Sequence, residues 1–195
     1  MRKIRDFKLP LHYKELRRRG RKTIDFPAAG VADDAALLAL LGKVSGKLRP
    51  AVLFESFGAD SEATARLSPV PGLGHTLGLA TLGPGFGEAV AEETRGNPEK
   101  EKLLSLAATA ALEDAVQFVT GLLKDEVEAE RCQLSPIHYL EDPAALEAVL
   151  SQLPADRIGV TLTEGRLVPG HTVAFCLSWL AARGRSRTSG PAKRK

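Results

Sequence analysis

The 195 residues include two cysteines, one tryptophan, one methionine, two tyrosines and four histidines. Two isolated thiols, Cys132 and Cys176, cannot staple a small disulfide fold, and they fit a reducing, cytoplasmic setting. His75, His138 and His171 do not fall at metal-ligand spacing, and no cysteine has a nearby partner, so no metal site is expected. No apolar run approaches the roughly 18 residues that span a bilayer, so no membrane partner is expected. The opening MRKIRDFKLPLHYKELRRRGRK is basic but lacks the apolar stretch of a secretory signal. There is no Gly-Lys-Ser/Thr after a glycine turn and no G-x-S-x-G. The signatures of a phosphate-cradling loop and of a hydrolase nucleophile are therefore missing, and no catalytic side chain stands out.

What is present is a globular balance, 44% apolar and 26% charged, with length enough for one domain and its core. The charge is unevenly placed. Ten basic residues from Arg2 to Lys22 and six from Arg183 to Lys195 leave the stretch between them at about −11 although the whole chain is +3. This pattern predicts a basic N-terminal arm over 1–25, a globular domain over 26–182 and a disordered basic tail over 183–195. Basic ends on an acidic body do not make a dedicated nucleic-acid surface, so no specific nucleic acid is expected.

Local signals place the elements. Helical character around His12–Arg19 is weakened by like charges at three- and four-residue spacing. Asp33 or Asp34 caps a helix whose apolar face is Leu37, Leu38, Leu40, Leu41 and Val44. Ala51–Phe57 and Thr76–Leu82 read as strands, and Glu88 as the start of a helix. Asn97-Pro98 opens the longest helix, with a small-residue stripe at Ala107, Ala108, Ala110 and Ala111. Asp142-Pro143 opens another helix over Ala144–Leu153. The turn at Gly83–Gly87 leaves open a nucleotide-binding enzyme, although it is not G-x-G-x-x-G.

The most patterned stretch is Ile158–Leu180, IGVTLTEGRLVPGHTVAFCLSWL. Two β-rich arms, 158–163 and 172–179, flank a turn-rich centre with two glycines and a proline. The pattern predicts that the arms pair as antiparallel strands around a long loop, with Val160, Leu162, Val173 and Phe175 facing one core.

Leu162-Thr163-Glu164-Gly165, Pro169 and Thr172-Val173-Ala174 resemble the LTES…P…SVS signature of the reactivation domain of vitamin B12-dependent methionine synthase and its free-standing relatives. Ala80-Thr81-Leu82-Gly83-Pro84-Gly85 is similar to the relatives' A-T-L-G-x-G. The resemblance spans roughly Asp33 to Trp179. It implies an α+β fold, a twisted antiparallel sheet with packed helices, like the methionine synthase activation domain.

By the same resemblance the chain would perform no chemistry with its own side chains. It would present S-adenosylmethionine (SAM) to cobalamin carried by a partner, a cobalamin-dependent methionine synthase core or another corrinoid protein, while an electron-donor protein supplies the electron. The residues implied at the SAM site are Glu113 on the long helix, Arg131, Ser135, Pro136, His138 and Tyr139 after it, and Glu164. The relatives carry Arg-x-Ser/Ala-Pro-Gly-Tyr where this chain has RCQLSPIHY. Anchored on Ser135-Pro136, Gln133 takes the arginine position, Ile137 the glycine and His138 the tyrosine. Gln cannot offer the planar cationic fork that grips a carboxylate. The alternative implied by those changes is a binding or scaffold protein of the same fold that has lost SAM.

Overall fold

The computed structural model describes residues 1–182, so the expected basic tail over 183–195 lies outside the described residues. The chain opens with a strand, Arg2–Arg5 (β1), and a helix, Tyr13–Gly20 (α1). Asp33 caps Asp34–Ser45 (α2), its carboxylate accepting the Ala36 N–H at 2.8 Å. Strand Ala51–Phe57 (β2), the single turn Glu62–Ala65 (α3) and strand His75–Thr81 (β3) follow. Gly83, at φ +85°, turns the chain into Pro84–Glu93 (α4), which starts a turn earlier than the sequence suggests because Pro84 suits a first helical position. Asn97 then caps Pro98–Ala129 (α5), accepting the Lys100 N–H. Short strands Cys132–Leu134 (β4) and His138–Leu140 (β5) lead to Pro143–Gln152 (α6), capped by Asp142. After a 3-10 turn at Ala155–Ile158 come Thr161–Thr163 (β6), Arg166–Val168 (β7) and Thr172–Ala181 (β8).

The main sheet runs β1-β2-β3-β8-β4, with β5 joining β8 next to β4, and every pairing is antiparallel. Both faces are covered. Val52, Phe54, Ala80, Phe175 and Leu177 pack against Ala115, Val116, Val119 and Leu123 of α5. Leu53, Leu77, Leu79, Ala174 and Cys176 pack on the other side against Leu146, Val149 and Leu153, with Ile158 and Val160. Beyond the sheet, the first half of α5 is buried among α1, α2 and α4 through Leu16, Leu37, Leu41 and Phe86. The expected α+β class, an antiparallel sheet with packed helices, holds, and the sheet is curled.

Two expectations do not hold. The arms of 158–180 do not pair with each other. β6 folds onto β7 through a tight turn at Glu164 (φ +52°) and Gly165 (φ +74°), while β8 pairs with β3 from His75↔Ser178 to Thr81↔Thr172. A two-residue turn with both φ positive matches the twist of a hairpin, so the first arm closes on the nearest segment. The strand Thr172–Ala181 is apolar on both faces and therefore lies mid-sheet. Val160 and Leu162 consequently sit on the α6 side, and Val173 and Phe175 on the α5 side.

The segment 1–25 is also no arm. β1 pairs with β2 from Arg2↔Phe54 to Arg5↔Ala51, Leu16 is buried, and Phe7 stacks on Phe118 at 4.6 Å. Four of its ten basic side chains, Arg2, Arg17, Arg18 and Arg19, pair with carboxylates among the described residues. Arg2 pairs with Glu126, Arg17 with Asp34 at 2.7 Å, and Arg19 with Glu15 at 2.7 Å and Glu113 at 2.5 Å. The repulsion that weakens α1 in isolation is thus offset by carboxylates of the acidic body.

Candidate functional site

α5 and the strands after it run past each other. The helix ends at Ala129, Arg131 turns the chain at φ +54°, and β4 then β5 return along β8 toward the middle of α5. This brings Tyr139 to the α5 side of the sheet, within electrostatic reach of Glu113. Burial raises the Tyr139 phenol above its ordinary pKa, and the Glu113 carboxylate adds to the shift, so the phenol stays protonated at neutral pH. Glu113 is in turn held by Arg19.

Tyr139 borders a groove of about 450 Å³ between the sheet edge and the β6–β7 hairpin. Glu141, Arg166, Gly170, Thr172 and Val173 are among its walls. Thr172 Oγ1 donates to Thr81 Oγ1 at 2.8 Å, which ties the groove floor to β3. Its neighbour His171 stands edge-on to Phe86 with ring centres 5.2 Å apart, and burial lowers the imidazole pKa. The groove therefore offers a neutral phenol, one carboxylate and one guanidinium around a half-apolar floor. Among the described residues neither Glu141 nor Arg166 makes a salt bridge. Such a lining suits a zwitterionic ligand with an apolar or aromatic body.

The remaining sequence-predicted residues are spread out. Glu164 occupies the exposed hairpin tip, and its neighbour Gly165 reaches the groove. His138 belongs to the opposite face of β5 from Tyr139, since successive strand residues alternate, and it is exposed. Ser135 is engaged in the sheet. Its Oγ accepts the Ser178 N–H at 2.9 Å and donates to Pro136 O at 2.8 Å, patching the break between β4 and β5, and Pro136 is exposed. Arg131 sits past the end of α5, with about 24 Å of helix between Glu113 and Ala129. One ligand of SAM size cannot touch Glu113 and the Arg131 backbone together. Gln133 lines a separate hollow with Thr120 and Lys124.

Three residues that the sequence did not single out belong here: Arg166, Glu141 and Arg19. Arg166 carries no local motif, Glu141 reads as a charge before a helix cap, and the Arg19–Glu113 pair spans 94 positions. Only folding brings them in. No family model and no curated protein matches the chain.

Proposed function

We propose that the chain is a free-standing homologue of the methionine synthase reactivation domain, presenting SAM to a cobalamin-bearing partner protein. The observation that carries this reading is convergence. The hairpin holding Leu162-Thr163-Glu164, the Pro169–Ala174 segment and Tyr139 are separate in sequence yet border one groove, and Glu113 lies within electrostatic reach of Tyr139. In the reaction SAM supplies a methyl group, and the partner's cobalamin accepts it together with one electron from a protein reductant.

The chain's own contribution is placement. Arg166 is positioned for the ligand's carboxylate and Glu141 for its ammonium. Tyr139 offers an aromatic face and a protonated hydroxyl, and Thr172 and Val173 form a floor that keeps water from one side. Arg166 thus takes over the cationic role that Gln133 cannot perform. A single guanidinium on an exposed hairpin grips less than a buried fork, so SAM affinity in the high micromolar range is expected.

The second reading is a binding protein of the same fold without SAM. It is favoured by the 2.5 Å pairing of Glu113 with Arg19, which occupies a carboxylate that the resemblance assigns to the ligand. Calorimetric titration with SAM decides between them. The reactivation reading expects binding that weakens roughly tenfold in Arg166→Gln, as for loss of one charge-assisted contact, and stays unchanged in Arg131→Ala. No heat at millimolar SAM, together with no retention of a corrinoid protein, removes the reactivation reading.

A further inference from the structure

We infer that the hollow at the C-terminal end of α5, beside Trp179, is a docking site for an arginine- or lysine-bearing segment of a partner protein. It lies about 24 Å of helix beyond Glu113 and is independent of the SAM groove. Its volume is about 480 Å³, and Ser56, Gly58, Gly72, Glu130, Cys132 and Trp179 are among its walls.

Trp179 is the chain's one tryptophan and is half-buried there. Its Nε1–H donates to Thr76 Oγ1 at 3.0 Å, and Thr76 Oγ1 meets Ser56 Oγ at 2.9 Å. The indole is thereby fixed by its edge, leaving a rigid aromatic surface at low entropic cost to a ligand. Glycines on the rim carry no side chains to obstruct approach.

Electrostatics select the occupant. α5 is 32 residues long, and its peptide dipoles leave negative partial charge at this end. At its start the helix is matched to its dipole, with Glu99 and Glu101 in the first turn. At its finish the last turn holds no basic residue, and Glu130 adds a formal negative charge at the cap. Arg131 follows at once and is exposed, but it does not line the hollow, and Glu130 is the one charged residue among its walls. A cation laid against Glu130 and the Trp179 ring removes the mismatch through an ion pair and a cation–π contact. The aliphatic stem of Arg or Lys suits the apolar wall beside the charge. Cys132 also lines the neighbouring hollow of about 410 Å³, where Lys124 stands beside Glu128, so the cationic site is confined to the Trp179 hollow.

The test uses the full chain and the peptide acetyl-Gly-Arg-Gly-Arg-Gly-amide, with the citrulline version as its uncharged control. Trp179 emission reports binding directly. Alkylation of Cys132 by iodoacetamide reports it independently, because Cys176 is fully buried with its thiol pushed up to about 12 and stays silent. The expected result is a saturable, salt-sensitive change in emission with the arginine peptide only, and slower alkylation of Cys132. Glu130→Gln should weaken binding about fivefold to tenfold, while Glu147→Gln, exposed on α6 across the sheet, leaves it unchanged. An equal response to the citrulline peptide, unaltered binding by Glu130→Gln, an equal loss from Glu147→Gln, or no response at all overturns the proposal.

Discussion

Gly78 shows how one residue sets the thickness of a layer. It lies opposite Phe175 in the β3–β8 pairing, and a Cβ built on it would come within 2.2–2.8 Å of three atoms of the Phe175 ring. The ring occupies the space a side chain there would need, and it packs with Ala115, Val116 and Val119 of α5. Gly78→Ala is expected to cost about 1–3 kcal/mol by overpacking, read as a lower urea midpoint at unchanged slope. Phe175→Leu in the same chain should recover part of that loss, because it removes the clashing ring. His171 supplies a second prediction. Its folded pKa is lowered by burial, so between that value and the unfolded value near 6.5 the unfolded chain binds more protons. Its contribution to stability is therefore present above about pH 6.5 and is lost as pH falls into the folded pKa. The drop in urea midpoint from pH 7.5 to 5.5 should shrink in His171→Gln.

Elements whose signals are local could be read from the sequence. Asp33, Asn97-Pro98 and Asp142-Pro143 start their helices where their capping chemistry places them, because a cap involves only the next three residues. The strands β2 and β3 were legible for a similar reason, as short β-rich runs bounded by turn residues. Which strand pairs with which was not legible. The sequence favoured pairing within 158–180 because those arms are near each other, yet β3 supplies a seven-residue partner for β8 from nearly a hundred positions away. The signal that could have corrected it was the unbroken run Val173–Leu177, apolar on both faces, which a strand with one solvent face does not carry. The candidate site divides in the same way. Tyr139 and the Glu164 hairpin come together, whereas Arg131 does not, since only the length of α5 and the return of β4–β5 decide what Tyr139 meets.

For the molecule as a whole, the concentration of basic residues near the front is a device for self-assembly. Arg2, Arg17 and Arg19 dock onto Glu126, Asp34 and Glu113 of the acidic body. Part of the positive charge at the front is thereby engaged internally. Deleting residues 1–6 removes β1, the Arg2–Glu126 pair and the cover over Phe54, and bares the edge of β2. The expected loss is on the order of 2 kcal/mol, from one half-buried Ile4 and a short ladder, with increased self-association from the open edge. Thermal melts and light scattering at two protein concentrations check both parts. A deletion that leaves the melting temperature unchanged would mean that β1 contributes no stability.

The place of β8 carries a consequence for how the protein is made. It is the last described strand, yet it fills the gap between β3 on one side and β4 with β5 on the other. While β8 is still held in the ribosomal tunnel, the emerged β1, β2 and β3 can pair, but β3 keeps a bare edge and β4 and β5 lack their sheet neighbour. The sheet can close only after Ala181 has emerged, because β8 supplies the partner edge for β3, β4 and β5 alike. During synthesis the open side of β3 is the surface that a chaperone must shield.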